Sequence, residues 1–168
     1  MNIRPAKPHG FTLISLLIAL GVIAITTAIG GPELWRIANE IKLKNAAREA
    51  ITAMRAVRYR AINESREFGF SATPGSTLEA PGVMKIFEGD DPNDAAALIR
   101  EIPMAGGIFV NSCSFGADDD TFVVFSPDGS AENTGSVVFK NANDRLITVS
   151  LDPASTARMQ VSKVQQAP

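Results

Sequence analysis

Ser126-Pro127-Asp128-Gly129 sets a hydroxyl two residues ahead of a carboxylate, a spacing that invites a reading as nucleophile and acid. A serine nucleophile needs a base to take its proton, most often histidine. The sequence has one histidine, His9, in a short cationic stretch at its start. Proline and aspartate ahead of glycine are also what a tight turn requires, and SPDG is read as a turn. Two acidic clusters offer oxygen ligands: Glu88, Asp90, Asp91, Asn93 and Asp94, and then Asp118-Asp119-Asp120. Neither has the spacing of a calcium loop, so solvated turns and a helix cap account for them. With no nucleophile–base pairing and no metal-ligand spacing, no catalytic residue, metal or cofactor is assigned.

Cys113 is the single cysteine and has no internal disulfide partner. Within the strand-like IFVNSCSF it reads as a small apolar residue, with an intermolecular link or reactive thiol as the alternative. Arg55, Arg58, Arg60 and Arg66, with Tyr59 among them, form a basic patch. It is either a solvated face meeting Glu64 and Glu67 or a contact for an acidic surface on another subunit.

These residues must be positioned by a chain of 168 residues, room for one compact domain beside a long apolar run. After Arg4, Lys7 and Gly10 no charged side chain appears until Glu33, just past Pro32. That run is about long enough to cross a ~30 Å hydrocarbon core at ~1.5 Å per residue. Gly30-Gly31-Pro32 should weaken or kink a helix there. Leu34, Ile37, Ile41, Ala47, Ile51, Met54, Val57 and Ala61 then recur at helical spacing, which predicts an amphipathic continuation to about Ser65. From Phe11 the whole would be a rod of ~80 Å.

Phe68 to Pro81 reads as a loop, Val83 to Phe87 as a strand, and Asp91-Pro92 as the start of a short helix through NDAAALIREI. Strands are expected at Ile108–Val110, extending toward Phe115, and at Phe122–Phe125, Val137–Lys140, Arg145–Leu151 and Arg158–Val164. SPDGS, NAND and DPAS separate the last four. The fold class is α+β: a long hydrophobic-then-amphipathic N-terminal helix packed on an antiparallel β-meander head. Charge is divided along the chain. Glu33 to Glu67 carries eight Lys/Arg and five Glu, whereas Phe68 onward carries six Lys/Arg and thirteen Asp/Glu. An acidic head disfavours nonspecific binding to phosphates.

The basic leader, Gly10 and the opening GFTLISLLIAL resemble the class III signal of type IV pilins and type II secretion pseudopilins. The stretch FVVFSPDGSAENTGSVVFKNANDRLITVSLDPASTARMQV, Phe122 to Val161, resembles the C-terminal half of the GspH/FimT-type pilin domain. The resemblance implies cleavage after Gly10 by a prepilin peptidase and N-methylation of Phe11. His9 would leave with the leader, removing histidine triads and histidine metal ligation. It further implies a leader over residues 1–10, a transmembrane or filament-core segment over 11–31, and an amphipathic helix half over 32–67. Residues 68–168 would be a periplasmic β-rich head forming one domain with 32–67. Basic residues flank the apolar run on both sides (Arg4 and Lys7; Arg36, Lys42 and Lys44), so charge counting leaves orientation open. The resemblance implies an inner-membrane, single-pass protein with a periplasmic head.

Expected partners are the prepilin peptidase, sibling pilins or pseudopilins, the inner-membrane assembly platform and the membrane. The resemblance places assembly contacts at Ser15, where the family usually has glutamate, and at Pro32. A serine there removes the carboxylate thought to pair with a neighbouring subunit's terminal amine, which suggests a tip or initiating position. The expected function is that of a minor pilin or pseudopilin, a structural and assembly subunit without enzymatic activity. One alternative is a DNA-binding minor pilin, since FimT-like members of the family serve in DNA uptake through a basic G-R-x-R-like segment. Here that stretch retains Arg158, with Lys163 as the nearest further cation, and lacks the glycine and second arginine. A third reading is a secreted binding domain cleaved at Ala28-x-Gly30.

Overall fold

The computed structural model describes residues 12–116, 120–152 and 156–166. The chain divides into two compact units, Met1–Ile37 and Ala38–Pro168. Helix α1, Leu13–Glu64, contributes to both.

In the first unit, α1 presents Leu13, Ile14, Leu16, Leu17, Ile18, Leu20, Val22, Ile23 and Ile25 to the exterior, each more than half exposed. Its two threonines add little polarity. Thr26 Oγ1 donates to the Val22 and Ile23 carbonyls at 3.0 Å, and Thr27 Oγ1 to Ile23 O at 2.8 Å. Such back-bonding keeps a hydroxyl satisfied where no water reaches. Among the described residues no single helix is long and apolar enough to cross a membrane; Leu13–Ala28 and Glu33–Glu64 pass together. Leu13–Ala28 alone rises ~24 Å, short of a ~30 Å core.

In the second unit, α1 is joined by nine strands: β1 Phe68–Thr73, β2 Val83–Glu88, β3 Leu98–Pro103, β4 Ile108–Phe115, β5 Phe122–Phe125, β6 Gly135–Asn141, β7 Arg145–Leu151, β8 Met159–Val161 and β9 Gln165–Gln166. They form two antiparallel sheets, ordered β3-β2-β1-β5 and β4-β6-β7-β8, with β9 also on β7. The α+β architecture is as the sequence suggests, and the meander is realised twice, as β1-β2-β3 and β6-β7-β8. One continuous core draws on α1 and both sheets, with Phe68, Phe70, Phe115, Phe125 and Phe139 sealed inside.

Three local readings are corrected. Phe68–Thr73 is a strand, not part of a loop. Phe68, Phe70 and Ala72 alternate inward, and Gly69 exists because the Phe87 ring occupies the space a Cβ would need. Phe68 pairs with Glu88 on one side and Phe125 on the other, so β1 is interior to its sheet. The expected helix after Asp91 is instead a turn followed by strand β3. Asp91 Oδ1 accepts the Asn93 N–H and Asp94 Oδ1 the Ala96 N–H, both at 2.8 Å. β2 offers an edge, and Leu98 to Pro103 pairs along it instead of coiling. The last expected strand, Arg158–Val164, is shortened to β8, residues 162–164 are not strand, and β9 lies beyond the expected span.

The buried stripe of α1 is also shifted. It runs Asn39, Leu43, Ala46/Ala47, Ala50, Ala53/Met54, Val57 and Ala61, whereas Ile37 and Ile41 are about half exposed. Small residues dominate because helix and sheets approach closely. Ala50 is fully buried. Ala50→Leu should therefore overpack this contact and destabilise the head by about 1–3 kcal/mol, read from urea unfolding.

Candidate functional site

The expected cleavage and methylation positions, Gly10 and Phe11, lie outside the described residues. The chain just beyond them is organised by a cap. Thr12 stands before α1 and its Oγ1 accepts the Ser15 N–H at 3.3 Å, while the Thr12 and Ser15 hydroxyls share a hydrogen bond of 2.7 Å. The Thr12 carbonyl accepts the Leu16 N–H at 3.2 Å, closing the first turn. This is the N-cap half of a capping box, with the Ser15 hydroxyl bonded to the Thr12 hydroxyl where a glutamate or glutamine would reach the capping residue's backbone N–H. Ser15 is thus held by its own helix terminus and brings no charge to it. Pro32 lies within α1, where it supplies no amide donor to the preceding turn.

In the head, SPDG is a turn. The Ser126 carbonyl accepts the Gly129 N–H at 2.9 Å, and Gly129 has φ 81°. Asp128 Oδ1 accepts the Ser130 hydroxyl at 2.6 Å and its N–H at 2.8 Å. Those hydrogen bonds, the hydroxyl's foremost, hold the Asp128 carboxyl below its ordinary value. Arg58 Nε donates to Gly129 O at 2.8 Å, fixing the turn to α1. A side chain on Gly129 would press on Ile62. The NAND turn is tied in a similar way by buried Asn141. Its Oδ1 accepts the Asn143 and Arg145 N–H groups at 3.0 Å, and its Nδ2 donates to Asn39 O at 3.4 Å.

The arginine patch is largely engaged within the chain. Arg60 pairs with Glu64 at 2.6 Å and lies 5.0 Å from the centre of the Phe68 ring. Arg66 pairs with Glu88 at 2.6 Å. Asp118 and Asp119 lie outside the described residues, and among the described ones no group of three or more His, Cys, Asp or Glu could hold a metal.

Arg158 is exposed, and its carbonyl accepts the Asp152 N–H at 2.9 Å. Lys163 lines an open groove of about 460 Å³ with Glu40, Lys44 and Arg48 of α1 and with Ile147, Val161, Ser162 and Val164. Arg158 does not line it. Lys44 and Arg48 were visible in the sequence only as one turn-spaced pair on a basic helix. Their meeting with Lys163 is tertiary and has no local signal.

The chain matches the family model of the type II transport protein GspH over residues 46–155. It also matches the prokaryotic N-terminal methylation motif over residues 6–31. Comparison with curated protein sequences returns no match. Two crystal forms of the type IV minor pilin FimU from Pseudomonas aeruginosa share the fold, at TM-scores of 0.55 and 0.54. They are 16% and 15% identical, covering 78% and 74% of this chain and 98% of FimU.

Cys113 is 7% exposed, and burial pushes its thiol up to about 12, a backbone hydrogen bond offsetting little of this. It should stay unlabelled by a maleimide at neutral pH until the head unfolds. The folded state keeps this proton while the unfolded thiol loses it near its ordinary value of 9.0, so stability falls as pH rises from there toward about 12. Equilibrium unfolding at graded alkaline pH, with Cys113→Ala as the control lacking that slope, measures it.

Proposed function

This chain belongs to the type II transport protein GspH family, as a structural subunit of the minor pilin or pseudopilin kind, and from that premise we propose how it is made and used. It is synthesised as an inner-membrane precursor with a periplasmic head. The prepilin peptidase cuts after Gly10, and Phe11 becomes the N-methylated terminus. The assembly platform then moves the apolar helix from lipid into the core of a pilus or pseudopilus, beside sibling subunits. The observation that carries this reading is the nine consecutive-turn apolar side chains from Leu13 to Ile25, all outward-facing on a helix whose own hydroxyls are satisfied. Such a surface requires lipid or neighbouring helices around it.

Ser15 changes how this subunit enters. A neutral hydroxyl bonded to Thr12 attracts a neighbour's terminal amine far less than a carboxylate would. We therefore place the subunit at the tip or at initiation, where no earlier amine has to be met. Ser15→Glu should then permit incorporation away from the tip, seen by immunogold labelling along filaments; labelling confined to the tip would count against this role.

Processing has a direct test in the intact mass and N-terminal sequence of the protein from its native membranes. The expected chain begins at N-methylated Phe11. A chain beginning near Gly31 would make it a secreted soluble domain, and one retaining Met1 would remove the processing step.

A further inference from the structure

We propose that the groove at the start of the head's helix takes an anionic phospholipid headgroup of the leaflet from which that helix emerges. The inference rests on the membrane-anchored reading above and adds what the head does there before assembly.

The groove combines charge with an apolar wall. Lys44, Arg48 and Lys163 line it against a single carboxylate, Glu40, which pairs with Lys44 at 3.2 Å. Two positive charges are left in excess. Arg48 and Lys163 are exposed, and neither has an ion-pair partner among the described residues. A guanidinium and an ammonium on one groove suit a phosphate, the first through its planar fork and the second as a point charge. Val161 and Val164 add aliphatic surface beside them, and Val161 is 43% exposed. A phospholipid headgroup presents the matching combination, a phosphodiester charge directly above glyceryl and acyl carbon. At about 460 Å³ the groove has room for a phosphate with its glycerol substituents.

The chain itself keeps this ligand close. Twelve residues separate Ala28, the end of the apolar stretch Leu13–Ala28, from Glu40. At the standard helical rise that length of chain spans ~18 Å at most. Tethering makes the encounter intramolecular, so a site too weak to hold a free headgroup is filled. The rest of the head is of the wrong sign for such a contact. From Phe68 on, six Lys/Arg stand against thirteen Asp/Glu, so an anionic leaflet repels the head in general and attracts it at the groove. An acidic segment of a sibling subunit would satisfy the same cations, but only once assembly has brought one near. Lipid is there from the moment of insertion. The contact holds the waiting head against the bilayer, and extraction into a filament vacates the groove. Its charges are exposed, so it should weaken as salt rises.

The experiment places the full chain in lipid nanodiscs of phosphatidylcholine alone or mixed with phosphatidylglycerol. Acetylation of each lysine by an uncharged succinimidyl ester is then followed peptide by peptide by mass spectrometry. Lys163 should react at least ~5-fold more slowly in the anionic discs, while Lys85 and Lys140 of the sheets keep their rates. Added salt should return Lys163 to its rate in phosphatidylcholine. Arg48→Glu should abolish the protection and Arg48→Lys should keep most of it, with melting curves of both variants showing a folded head. Equal Lys163 rates in the two discs, slowing shared by Lys85 and Lys140, or protection that survives Arg48→Glu overturns the proposal. Equal rates together with protection by a single-stranded oligonucleotide or an acidic peptide in phosphatidylcholine discs would assign the groove to that partner instead. Retention in phosphatidylcholine discs tests the anchor by itself. A chain that is not retained brings down the anchored reading and this inference with it, whereas a retained chain without Lys163 protection refutes the headgroup contact alone.

Discussion

The head closes on a stripe of small side chains. Ala46, Ala47, Ala50, Ala53 and Ala61 let two sheets approach one face of α1, and Leu43, Met54 and Val57 fill the gaps between them. The phenylalanines of the strands then supply the volume that the alanines omit. Each buried Phe, Leu or Met contributes roughly 1.5–3 kcal/mol, so the core depends on aromatic bulk from the sheets meeting a nearly flat helix. Arg58 and Asn141 fix where the sheets' turns meet that helix, through Gly129 O and Asn39 O. The two hairpin turns are thereby parts of the packing.

The same helix has an opposite problem in its first unit. From Leu13 to Ile25 its apolar side chains point outward on all sides, and none of the described residues of that unit covers them. A chain with such a segment is soluble only in lipid or in a bundle of like helices. On the proposed reading, storage in a membrane and assembly into a filament use one surface in two environments. The Thr12–Ser15 cap closes the terminus of that surface without a charge.

Much of this was legible in the sequence because its signals are local. Alternation in SVVF and LITVSL marked β6 and β7, and SPDG and NAND marked turns that the structure contains. The failures are equally physical. Gly69 and Ser71 hid β1, because the glycine serves the Phe87 ring across the strand pair and not any turn. Asp91 and Pro92 imitate a helix start, yet β2 had an unpaired edge and claimed the following residues. Ile37 and Ile41 fit a helical stripe as well as Leu43 and Ala46 do, and only the sheets' position chooses between those faces. The groove was beyond reach for a related reason. It joins residues 40–48 to residues 161–164, and no short-range pattern links them.

The central claim is that the apolar face of α1 is a filament-core surface. Ile18→Asp places one charge in its middle, far in sequence from the head's core. Filaments sheared from cells expressing this variant should lack the subunit, while the head keeps its unfolding midpoint. A variant that enters sheared filaments at the parental level would contradict the account.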